Sequence, residues 1–120
     1  MYIESFKQLI VWQRSIELVK EMYKITGRFP HEELYGLVSQ MRRAVVAVPS
    51  NIAEGKKRKT RKDFLQFLRI ADGSAAELET QIIIAKDLYR MINFSQAELL
   101  LAEVQKMLIT IIKKLEISKS

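Results

Sequence analysis

Cysteine is absent from this 120-residue chain, and histidine occurs once, at His31. No disulfide framework, zinc-thiolate site or thiol nucleophile can be built from such a sequence, and one imidazole cannot form a multi-histidine metal centre. Glycine and proline are scarce too, at four and two residues. So few turn formers argue against an all-β sandwich and for a few long helices. No apolar run approaches the roughly 20 residues that span a bilayer. No charged leader with an apolar stretch and cleavage site opens the chain, so a cytoplasmic protein without a membrane partner is expected. The sequence also lacks a Glu-x-x-His pair, as in di-iron bundles, and a glycine-rich phosphate loop. No metal, cofactor or enzymatic activity is therefore expected. The length suits one domain over residues 1–120.

What the chain has in excess is positive charge, +6 in total, and the excess is local. Residues 42–69 hold nine basic residues (Arg42, Arg43, Lys56, Lys57, Arg58, Lys59, Arg61, Lys62, Arg69) and two acidic ones (Glu54, Asp63), giving 9 − 2 = +7. The remaining residues carry 11 basic and 12 acidic groups, or −1. At the centre, six of the seven residues from Lys56 to Lys62 are cationic. Mutual repulsion at that density calls for solvent or anions to relieve it.

Helical periodicity dominates and predicts an all-α protein, an up-down-up-down antiparallel four-helix bundle with helices at about 6–26, 31–54, 61–92 and 96–117. In the first, Leu9, Trp12, Ile16, Val19 and Tyr23 form one apolar stripe, ended by Gly27 and Pro30. Leu34, Leu37, Met41, Val45, Val48 and Ile52 mark the second. Pro49 falls inside that pattern, where it removes a backbone donor and predicts a kink. Gly55 reads as the residue that closes the helix. Thr60 and Asp63 resemble a capping box, and Phe64, Leu68, Ala71, Ala75, Leu78, Ile82, Ala85, Tyr89 and Ile92 then alternate at spacings of four and three. Gly73 interrupts this third helix at a cost of about 1 kcal/mol, for which close approach of a neighbouring backbone is the expected reason. Ser95 and Glu98 form a second candidate capping box. Leu101, Val104, Leu108, Ile111 and Leu115 carry the last stripe.

Ile83, Ile84, Leu99, Leu100, Met107, Ile109 and Ile112 fall off these stripes. Together with Tyr2, Ile3 and Phe6 they predict a second apolar face, buried against other copies of the chain.

Polar candidates for catalysis are few. His31 and Glu32-Glu33 sit at a helix entrance, where a surface position and the helix dipole account for them. Glu77 and Glu79 are two residues apart and point to different sides. Gln40, Ser50, Asn51, Glu54, Ser74, Glu77 and Gln81 are expected at semi-buried positions. Among them Asn51, Glu54, Ser74 and Glu77 form a candidate structural network between the second and third helices, with Arg42, Arg43 or Arg58 as partner. The cluster Lys56, Lys57, Arg58, Lys59, Arg61 and Lys62, extended by Arg69, Arg42 and Arg43, is instead a candidate phosphate-binding surface. No aromatic residue is interleaved in it, which argues for backbone contact and weak sequence specificity.

Several strings have a familiar form: Val11-Trp12-Gln13; Phe29-Pro30 followed by Glu33 and Tyr35-Gly36-Leu37; Gln40-Met41-Arg42-Arg43-Ala44; and Val48-Pro49-Ser50-Asn51-Ile52-Ala53-Glu54-Gly55. With Phe64, Phe67-Leu68, Gly73-Ser74, Glu77-Leu78-Glu79 and Gln81 they resemble the four-helix-bundle proteins encoded in intervening sequences of bacterial 23S ribosomal RNA genes. The chain is also similar to the accessory protein of diversity-generating retroelements, a basic pentameric bundle that associates with a reverse transcriptase and its RNA. The resemblance implies a homopentamer that binds nucleic acid, with no established enzymatic activity and no catalytic residues to carry over. The expected function is thus an oligomeric nucleic-acid-binding bundle, RNA before DNA. The competing expectation is an adaptor that docks a protein such as a polymerase or reverse transcriptase.

Overall fold

The computed structural model describes residues 5–118. Tyr2 and Ile3, assigned above to a second apolar face, lie outside the described residues. Four helices account for most of the chain: α1 (Ile10–Thr26), α2 (Leu37–Lys57), α3 (Arg61–Leu88) and α4 (Ser95–Ile117). Each packs on its neighbours in sequence and α4 returns to α1, so the four close a bundle with principal extents of 49 × 22 × 20 Å. The α2–α3 contact is the most extensive.

The helix ends differ from the periodicity in ways local chemistry explains. Before α1, Phe6–Gln8 forms a separate 3-10 turn capped by Ser5, and Leu9 is extended, so the first helix starts later than expected. A second 3-10 turn, His31–Glu33, follows Pro30 and precedes α2. The third helix stops at Leu88, not at Ile92. Tyr89 leaves the helical region (φ −129°, ψ 73°) and lays its ring against Phe29 with centroids 5.1 Å apart. Thr60 caps α3 as expected, its hydroxyl accepting from the Asp63 N–H at 3.1 Å. The Ser95–Glu98 box does not form. The Asn93 carboxamide oxygen accepts from both the N–H and the hydroxyl of Ser95, and Glu98 pairs with Lys86 at 2.9 Å.

One hydrophobic core runs the length of the bundle. The stripes predicted for α2, α3 and α4 supply it: Met41, Val45, Val48 and Ile52; Leu68, Ala71, Ala75, Leu78, Ile82 and Ala85; Leu101, Val104 and Leu108. Burying each of the larger aliphatic side chains contributes about 1.5–3 kcal/mol. In α1 the buried stripe is Val11, Ser15, Leu18, Met22 and Ile25, one position away from the predicted one. Leu9, Trp12, Ile16 and Val19 form its half-buried flank, and Tyr23 is exposed. A serine at the centre of that stripe is tolerated because its hydroxyl donates to the Trp12 carbonyl at 2.7 Å. Leu100, assigned to the second apolar face, belongs to the core; Met107 and Ile112 are half-buried against it, and Phe6 packs edge-on to Trp12.

α2 runs unbroken through Pro49, which is buried. Proline there leaves the Val45 carbonyl without its usual helical donor. Two residues further on, the Asn51 carboxamide donates to the Ala47 carbonyl at 2.8 Å.

Neither of the two informative glycines has the role expected of it, and Gly55 has the one expected of Gly73. Gly55 does not close α2, which continues to Lys57; it is buried at the contact with α3. A Cβ at Gly55 would lie 2.7 Å from the Phe67 Cβ and 3.1 Å from the Phe64 ring, whereas one at Gly73 would meet nothing within 4 Å. Close approach therefore explains Gly55, and Gly73 faces open space within its own chain. Two substitutions separate these roles in chemical denaturation. Gly55→Ala overpacks the α2–α3 contact and loses about 1–3 kcal/mol, whereas Gly73→Ala gains about 1 kcal/mol from helix propensity.

Candidate nucleic-acid interface

The basic segment occupies the turn between α2 and α3. α2 ends at Lys57, Arg58 and Thr60 are extended, and α3 starts at Arg61. A connection this short holds its flanking cations at one end of the bundle. Beneath it lies the Gly55 contact, where Phe64 and Phe67 press against α2. Each ring has a cation beside it: the Lys56 ammonium sits 5.9 Å from the Phe64 ring centroid and the Arg58 guanidinium 4.8 Å from that of Phe67.

The nine predicted contact residues divide into two groups. Five have partners within the chain besides, or instead of, any external anion. Arg42 donates to the Thr26 hydroxyl at 2.9 Å and lies 4.4 Å over the Tyr23 ring, tying α2 to the end of α1. Arg58 pairs with Glu54 at 2.8 Å. Arg61 donates to the Leu115 carbonyl, one of the carbonyls that the C-terminus of α4 leaves without a helical donor. Arg69 pairs with Glu116. Lys56 is half-buried over Phe64. The second group, Arg43, Lys57, Lys59 and Lys62, is exposed and makes no ion pair among the described residues.

The proposed network of Asn51, Glu54, Ser74 and Glu77 is not assembled. Asn51 bonds its own helix, Glu54 turns outward to Arg58, Glu77 is exposed, and Ser74 is half-buried. Gln40 and Ser50 are exposed as well, whereas Gln81 is buried with its carbonyl oxygen unpartnered. Asn51 and Glu54 fall on the outer part of α2 because the inner stripe there is already apolar.

Topology adds residues that the sequence argument left out. An antiparallel bundle brings the start of α1 and the end of α4 to the same end as the α2–α3 turn. Lys7, Lys113 and Lys114 are exposed there. The signal available beforehand was the alternating helix direction, which predicts such co-location from order alone. At the opposite end large apolar side chains are exposed among charged ones: Tyr35 is 92% exposed, Met91 98%, Leu99 68% and Leu88 61%, beside exposed Lys24, Arg28, Glu32, Asp87 and Arg90. Positive charge is thus concentrated at one end of the axis, whereas exposed cations at the other, Lys24, Arg28 and Arg90, are interspersed with acidic residues such as Glu32 and Asp87.

A polar lock closes that opposite end. Glu33, read above only through the helix dipole, accepts the Tyr89 hydroxyl with one oxygen and, with the other, the Leu37 N–H at 3.2 Å at the start of α2. These bonds, Tyr89's foremost, hold the Glu33 carboxyl below its ordinary range, and the bond to Glu33, with burial and nearby negative charge, pushes the Tyr89 phenol up to about 12. A raised phenol stabilises the fold fully below its ordinary value near 10, and that contribution is lost as pH rises towards 12. The lowered carboxyl contributes above the ordinary carboxylate range and loses its contribution as pH falls through its folded value. Melting temperatures measured against pH should therefore fall between about pH 10 and pH 12 for the native chain, and Tyr89→Phe should flatten that limb.

Among the described residues, no group of three or more His, Asp or Glu side chains is placed to hold a metal ion, and no helix is long and apolar enough to cross a membrane. Residues 7–112 match the family model described as 23S rRNA-intervening sequence protein. A crystal structure of a protein of unknown function from the S23 ribosomal protein family of Bacteroides thetaiotaomicron is similar over 87% of this chain and 99% of its own. It shares 25% sequence identity, with a TM-score of 0.76. Among curated proteins, none matches the chain.

Proposed function

The chain belongs to the 23S rRNA-intervening sequence protein family, and for this member we propose a non-enzymatic, oligomeric bundle that binds nucleic acid through its basic end. The observation that carries the reading is the group of exposed lysines without internal ion pairs, Lys57, Lys59 and Lys62, at one end of an elongated molecule. Arg43 lies 14 residues before Lys57 in α2, about 21 Å away along the helix, and is not part of that group. Lysine ammonium groups on flexible stems suit successive phosphates. RNA is the favoured partner, in keeping with the resemblance noted above.

Self-association is supported by exposed Ile10, Ile83, Ile84, Leu99 and Ile109, which leave apolar surface on α1, α3 and α4 uncovered. A pentamer, as the resemblance implies, would carry 5 × (+6) = +30, a field that draws polyanions at long range. Light scattering should give a multiple of the 14.0 kDa chain mass, and a single-chain mass contradicts the oligomer. An adaptor role is the second reading, favoured by exposed Tyr35 and Met91 at the opposite end, where a polymerase-like protein could dock.

The phosphate reading is tested by salt dependence. Replacing Lys57, Lys59 and Lys62 by alanine should flatten the log–log slope of duplex DNA affinity against salt by about 2.7 per engaged chain, at about 0.9 per phosphate contact. An unchanged slope contradicts it.

A further inference from the structure

Proteins that hold single-stranded nucleic acid combine cationic grooves with aromatic faces on which unstacked bases lie. At the basic end of this bundle the rings are otherwise engaged. Phe64 and Phe67 are half-buried at the Gly55 contact, with the Lys56 ammonium 5.9 Å and the Arg58 guanidinium 4.8 Å from their respective ring centroids. Phe6 is half-buried, its ring 5.3 Å from Trp12 in an edge-on contact. The most exposed described ring, Tyr35, is at the far end.

The arginine forks that read base edges are similarly occupied. Arg58 holds Glu54, Arg61 holds the Leu115 carbonyl and Arg69 holds Glu116. What the end presents freely is mainly lysine: Lys57, Lys59 and Lys62, with Lys7, Lys113 and Lys114 beside them. A surface of point charges without stacking faces senses linear charge density above all. A duplex offers one charge per roughly 1.7 Å of axis, about twice the density of one strand at helical spacing.

We infer that the basic end takes a double-stranded nucleic acid by its phosphate backbone, with its bases still stacked and paired, and without sequence readout. This rests on the nucleic-acid reading above and narrows it to duplex. Fluorescence anisotropy with the full chain tests it, using a short RNA duplex and an oligouridine carrying the same number of phosphates. The duplex should bind about tenfold tighter or more at matched salt, and an unlabelled duplex of unrelated sequence should compete equally well. Equal or tighter binding of oligouridine overturns the duplex inference and leaves the nucleic-acid reading standing. Competition that depends on duplex sequence overturns the lack of readout. Binding of neither probe overturns both readings.

Discussion

The close packing of α2 on α3 at Gly55 is the constraint on which the rest of the molecule depends. Only a residue without a side chain admits the Phe67 Cβ and the Phe64 ring at that distance, and the α2–α3 contact it permits is the most extensive in the bundle. The geometry leaves three residues to reverse the chain. Of the six cations from Lys56 to Lys62, Arg58 and Lys59 sit in the connection, and Lys56, Lys57, Arg61 and Lys62 occupy the adjoining helix ends, so the run cannot spread along a flexible loop. Cation–π contacts of Lys56 with Phe64 and of Arg58 with Phe67, at 5.9 and 4.8 Å, place two of the charges beside that packing. Packing and charge are therefore one feature, and loosening the first would disperse the second.

Polarity of the whole bundle follows from helix direction. Each terminus and turn belongs to one end or the other, so Lys7, the α2–α3 turn and Lys113-Lys114 gather at one end, and Leu34, Tyr35, Leu88, Met91 and Leu99 at the other. Arg61 and Arg69 are the links between the basic turn and the last turns of α4. They satisfy a helix terminus and offset acidic charge, which leaves the lysines as the freely available cations. Surface ion pairs of this kind contribute little to stability, commonly about 0–1 kcal/mol.

Much of this was legible in the residues, and the failures have definite causes. The α3 stripe holds from Leu68 to Ala85 because its spacing persists through a run of small residues, leaving one consistent inward face, but its last two members, Tyr89 and Ile92, lie beyond the helix. In α1 two adjacent stripes, Leu9-Trp12-Ile16-Val19 and Val11-Leu18-Met22-Ile25, are both apolar because the helix packs against α2 on one side and α4 on the other. Periodicity alone could not tell the centre from the flank, and a buried serine at position 15 disguised it further. Close approach was expected at Gly73 and is found at Gly55, because a sequence reveals that a side chain is missing but not which neighbour needs the room. The basic cluster was visible as a segment. The division between engaged and free cations was not, since it depends on Leu115 and Glu116, residues far along the chain.

The central claim is that the lysines of the α2–α3 turn form the polyanion-contacting surface. Lysine-acetylation footprinting with mass spectrometry, with and without a saturating RNA duplex, tests it directly. Lys57, Lys59 and Lys62 should be protected, with Lys20 and Lys24 on α1 modified equally in both states. Unprotected turn lysines, or protection confined to α1, would contradict it.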